Sequence, residues 1–132
     1  MKKYHRHFTQ YFVESGMKTP YFSNSKLNKF MRSKEPGYSD PFYLSEDPKI
    51  FITIAKYKTS CNLEIRRGRS ILMLIHYDYL QKSKNYRTLE TVRTPSEWGV
   101  LVEVSRERFM EELIKMSDSY PKLKEIIIWS IL

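Results

Sequence analysis

Residues 49–80 constrain the fold most. Ile50, Ile52 and Ile54 alternate with Phe51, Thr53 and Ala55. That is the two-residue period of a strand whose successive side chains face opposite sides. After a link at Tyr57-Lys58-Thr59-Ser60, the residues Cys61, Leu63 and Ile65 alternate with Asn62, Glu64 and Arg66, which predicts a half-buried second strand. Arg67-Gly68 is short enough for a tight hairpin, with glycine where a positive φ is needed. Ser70 to Tyr79 follows, apolar on both faces from Ile71 to Ile75, as suits a central strand covered on both sides. The expectation is a three-stranded antiparallel meander with short loops.

Residues 81–96 are polar and basic and read as a mobile loop. Trp98, Val100, Val102 and Val104 alternate with Gly99, Leu101 and Glu103, giving a fourth strand. Ser105 is placed to cap a helix over 106–116, with Glu107 in its first turn and Phe109, Met110, Leu113 and Ile114 as its apolar stripe. In Pro121 to Leu132, the residues Leu123, Ile126, Ile127 and Ile131 fit a helix face, while Ile126-Ile127-Ile128-Trp129 equally fits a strand. Residues 1–48 hold ten of the nineteen aromatics together with Pro20, Pro36, Pro41 and Pro48. Proline at this density breaks long elements. A short helix from Ser25 to Arg32, capped by Ser25, is expected there, and otherwise an irregular aromatic arm that packs on the domain or on a partner. The fold class is therefore α+β: a four-stranded antiparallel sheet followed by one or two C-terminal helices. Its expected division is an arm at 1–48 and a compact domain at 49–132.

A chain of 132 residues suffices for one domain with its own core. The single cysteine, Cys61, cannot close an internal disulfide. The start Met1-Lys2-Lys3 runs into a segment too polar for a signal peptide, and no apolar run is long enough to cross a bilayer. A cytoplasmic protein, or a nuclear one in a eukaryote, with no membrane partner, is the expectation. The net charge of +8 is unevenly spread. Residues 1–45 and 46–94 each carry a net +5, and residues 95–132 a net −2. A basic front of this kind attracts polyanions.

The sharpest cluster is Arg66-Arg67-Gly68-Arg69 around the expected hairpin tip. Guanidinium forks match phosphate oxygens, and glycine lets a backbone approach closely. Lys56 and Lys58 flank the neighbouring turn, and Lys82, Lys84 and Arg87 follow in the loop, with Tyr57, Tyr79 and Tyr86 interleaved. Cations that track a backbone, mixed with rings that stack on bases, are what a single strand requires. The same residues also suit an ordinary solvated basic surface. His5, His7, His76 and Cys61 lack metal-ligand spacing, so neither metal nor cofactor is expected. Glu64-Ile65-Arg66 lacks the lysine of a metal-nuclease strand, so Glu64 is expected in a cross-strand salt bridge. No phosphate loop or nucleophile motif is present, and catalysis is not expected.

Ile52-Thr53-Ile54-Ala55-Lys56-Tyr57, Leu63-Glu64-Ile65-Arg66, and Gly99-Val100-Leu101-Val102 leading into Ser105-Arg106-Glu107-Arg108-Phe109 form a further pattern. Over about residues 49–116 it resembles the positive-cofactor-four family of transcriptional coactivators, which bind single-stranded DNA. The third strand here is more apolar than in that family, and residues 1–48 have no counterpart. The resemblance implies a homodimer built through the C-terminal helices and a nucleic-acid groove on the opposite sheet face. The function expected is non-enzymatic binding of single-stranded DNA or RNA. The alternative is a small protein-binding module that uses the aromatic arm, either a viral or phage-type inhibitor of a nucleic-acid enzyme or a peripheral subunit of a large assembly, with the arginines then facing an acidic protein surface.

Overall fold

The computed structural model describes residues 22–91 and 99–125. Its elements are α1 (Ser25–Arg32), β1 (Gly37–Tyr38), β2 (Phe42–Glu46), β3 (Lys49–Lys56), β4 (Ser60–Arg67), β5 (Ser70–Asp78), β6 (Ser83–Thr91), β7 (Gly99–Val104), α2 (Arg106–Ser119) and α3 (Lys122–Glu125). The fold is α+β with a seven-stranded antiparallel sheet rather than a four-stranded one. The order runs β1-β3-β4-β5-β6-β7, and β2 also pairs with β3. Strands β3 to β7 form the meander. The short β1 and β2 share the free edge of β3, opposite Ala55–Lys56 and Lys49–Ile52 respectively.

Three further expectations about the elements need correction. The first is the irregular arm. Over residues 22–48 the chain is part of the domain: Phe22, Leu27, Met31 and Leu44 are buried in the same core as Ile52, Ile54, Ile65 and Ile75. Proline and glycine there make elements short without keeping them out of the core. Residues 1–21 lie outside the described ones. The second is the mobile loop, most of which is strand β6. Its register places Tyr86 opposite Ile75 and Val104, and Thr88 opposite Met73 and Val102. Strand β6 is polar because few of its side chains reach the core, and polarity disguised its period. The third is the cap of α1, which is Asn24 and not Ser25: the Asn24 side chain accepts from Leu27 N–H at 3.0 Å.

Helix α2 is capped by Ser105 as expected and runs three residues further, to Ser119. Its buried line is Phe109, Leu113 and Ser117, spaced by four, while Ile114 is half exposed. The Phe109 ring packs tilted against Tyr86, with 5.2 Å between ring centroids. From α3, Leu123 completes the core. The open choice between helix and strand beyond Glu125 lies outside the described residues. No helix among the described residues is long and apolar enough to cross a membrane.

The register divides the sheet into two faces. Ile52, Ile65, Met73 and Thr88 align on one, as do Ile54, Leu63, Ile75 and Tyr86. Both main helices pack here, α1 through Leu27 and Met31 and α2 through Phe109 and Leu113. The other face presents the alternate residues, and among the described residues no helix covers it.

Candidate functional site

This second face, helix-free among the described residues, has a polar and aromatic floor. One line across it runs Tyr38, Ala55, Asn62, His76 and Asn85, each paired with the next on the adjoining strand. A second runs Thr53, Glu64, Leu74, Arg87 and Glu103. A third brings together Tyr43, Phe51 and Arg66, with the Tyr43 and Phe51 rings 5.7 Å apart. Tyr38, Tyr43 and Tyr57 are all exposed, Tyr38 the most at 57%.

Tyr38 and Tyr57 touch through their hydroxyls at 3.3 Å. That hydrogen bond, with burial second, pushes the Tyr57 phenol up to about 12. The Arg66 guanidinium carbon lies 5.8 Å from the Tyr38 ring centroid, at the outer range of a cation–π contact. A groove of about 490 Å³ lies between Tyr38, Ser39, Pro41, Phe51, Thr53 and Arg66. Beneath it, Arg66 Nε donates to Glu64 Oε1 at 2.7 Å, and Glu64 is 1% exposed. The expected salt bridge therefore exists, but between residues two apart on β4 and not across strands. Glu64 lies opposite Thr53 and Leu74, which carry no charge.

The ten residues expected at the site do not form one patch. Arg66, Arg67 and Arg69 surround the β4–β5 hairpin, whose two-residue loop is Gly68-Arg69, one position later than expected, with Gly68 at φ +58°. Arg67 and Arg69 are exposed. Tyr57, Lys58 and Lys82 lie at the opposite end, where Tyr79 N–H donates to Thr59 carbonyl at 3.0 Å and ties the two turns together. Lys58 and Lys82 are exposed. The two cationic ends are separated by the eight residues of β4, about 24 Å of strand.

Lys56, Lys84 and Tyr86 belong to the helix-covered side, a correction to their expected role. Lys56 is 1% exposed. Its ammonium donates to Phe30 carbonyl at 2.6 Å, Ser33 Oγ at 2.9 Å and Ser33 carbonyl at 3.1 Å. It also lies 4.1 Å from the Phe30 ring centroid. It thus satisfies the carbonyl end of α1, where a cation suits the helix dipole. Burial pulls its pKa down to about 8. Lys84 aligns with buried Tyr77, and Tyr86 is itself core. Arg87 sits on the helix-free face, half-buried, between Leu74 and Glu103.

Sequence reasoning missed Tyr38, Asn62 and His76 as site residues. The alternation of Asn62, Glu64 and Arg66 already marked a polar strand face. The register that brings Tyr38 and His76 onto the same line was not legible. Cys61, buried on the core side, is pushed up to about 12 by burial, which suits an inert thiol. Among the described residues no group of three His, Cys, Asp or Glu side chains could hold a metal ion. Comparison with protein-family models, characterised proteins and solved structures finds no match.

Proposed function

We propose that this protein binds single-stranded nucleic acid across the helix-free face of its sheet and does no chemistry on it. The observation that carries the reading is the exposed pair Tyr38 and Tyr57, hydroxyl to hydroxyl, with Arg66 beside the first ring. Bases stack on such rings without regard to sequence, and cations follow the phosphates. Exposed Arg67 and Arg69 at one end and Lys58 and Lys82 at the other supply those cations. The span between them suits a short stretch, near the ~4 nucleotides at the low end of single-strand site sizes. The resemblance to positive-cofactor-four proteins supports the same face, since it implies a groove opposite the helix.

The test is binding of a labelled single-stranded oligonucleotide as salt is raised. Affinity should fall steeply, because each neutralised phosphate releases counterions. The Arg67→Ala, Arg69→Ala double variant should keep its thermal stability, since neither side chain is buried. It should weaken binding about equally for all sequences and lower the salt slope by about one unit for each phosphate no longer neutralised. A parent protein that binds no oligonucleotide at low salt contradicts the proposal. An acidic protein surface would then be the partner to test against the same arginines.

A further inference from the structure

At the centre of the helix-free face a chain of hydrogen bonds fixes the orientation of one imidazole. Arg66 Nε donates to Glu64 Oε1 at 2.7 Å. Asn62 Nδ2 donates to the other oxygen, Glu64 Oε2, at 3.4 Å. Asn62 Oδ1 then lies 2.6 Å from His76 Nδ1. The ion-paired carboxylate can only accept, so the Asn62 amide must turn its nitrogen to Glu64 and its oxygen to His76. His76 Nδ1 therefore carries the proton, and in the neutral ring Nε2 is left with a lone pair. His76 is half-buried in the line from Tyr38 to Asn85. Among the described residues no hydrogen bond goes to Nε2.

We infer that His76 Nε2 is a hydrogen-bond acceptor that reads the N–H edge of one nucleobase, with Asn62 and Glu64 as positioning residues. The inference rests on the nucleic-acid reading above. It goes further by assigning base preference to a site whose rings and cations are indifferent to sequence. Phosphate contacts position a strand, whereas contacts to base edges specify it. A buried carboxylate spent on orienting an amide, which orients an imidazole, is support for a specific hydrogen bond and not for attraction of phosphate: paired with Arg66, it carries no net charge to attract one. Neighbouring Asn85 extends the same line and carries both a donor and an acceptor.

The experiment measures affinities of the full chain for short homopolymers of A, C, T and G at pH 8 and fixed salt. The parent should prefer its best homopolymer over its worst by about three- to tenfold, the weight of one net hydrogen bond. His76→Ala should reduce that ratio to about one, with the salt slope unchanged. His76→Gln, whose amide oxygen can stand where Nε2 does, should restore part of the preference. Thermal melting of each variant checks that the fold is intact, and a loss of preference without loss of melting temperature cannot come from unfolding. Binding by the parent with no base preference, or a preference that survives in His76→Ala, overturns this inference and leaves the proposed function standing. No binding of any homopolymer by the parent overturns both.

Discussion

Lys56 shows how residue type and residue role come apart. In the sequence it is one lysine of a basic turn beside Tyr57 and Lys58. In the fold its side chain points to the helix-covered side, where its ammonium holds the last carbonyls of α1. Lys56→Met should keep the apolar stem but remove the three hydrogen bonds that the ammonium gives to Phe30 and Ser33, at a cost of about 1–3 kcal/mol. Oligonucleotide affinity of the folded variant should be unchanged. The pH dependence has a definite sign. Its folded pKa of about 8 lies below the ordinary 10.5, so between these values the unfolded chain holds the proton more tightly. The stability that Lys56 contributes rises with pH across that window. The gap in unfolding free energy between parent and Lys56→Met should widen from pH 8 to 10.5. The raised phenols act in the opposite direction but are common to both proteins and cancel in the comparison, and the Cys61 thiol, which Lys56 lowers and burial holds at about 12, stays protonated in the fold across this window in either protein. A gap that narrows would show that the ammonium is favoured where it lies.

Among the elements, helices α1 and α2 are tested by what each buries. Leu113→Ala should destabilise by about 2–5 kcal/mol, since Leu113 is fully buried. Ile114→Ala should change little, since half of that side chain is in solvent. Equal losses in chemical denaturation would refute the orientation of α2. A chain starting at Lys49 should be insoluble or unfolded. It lacks Phe22, Leu27, Met31 and Leu44, and it bares the edge of β3. A soluble, cooperatively melting product would mean that α1, β1 and β2 are dispensable. Strands β3, β4 and β5 were legible because apolar residues alternate or run together there. Strand β6 was not, because Lys84, Asn85 and Arg87 outweigh Tyr86 and Thr88 in a stretch read for polarity. Short β1 and β2 offer too few residues to show any period, and their pairing with β3 is a long-range fact. The arginine turn was legible from glycine and flanking alternation. Its link to Tyr38 was not, since that needs the register of β1 on β3.

At the scale of the whole molecule, the two sides of one sheet differ in character. One side is covered by helices and supplies stability through Ile52, Ile54, Ile65, Ile75, Phe109 and Leu113. The other exposes Tyr38, Tyr43 and Tyr57 over a polar floor, with Arg67 and Arg69 at one end and Lys58 and Lys82 at the other. Under the proposed function, the charge of +8 supplies the field that would bring a polyanion to the end turns, with the tyrosines holding it on the face between them. Backbone amide chemical-shift mapping, on labelled protein titrated with a short single-stranded oligonucleotide, shows which face binds. Saturable shifts are expected at Tyr38, Tyr57, Asn62, Arg66 and His76, with Leu27, Met31, Leu113 and Ser117 unmoved. Shifts centred on α1 or α2 with that floor unmoved, or no shift at low salt, would contradict binding on this face.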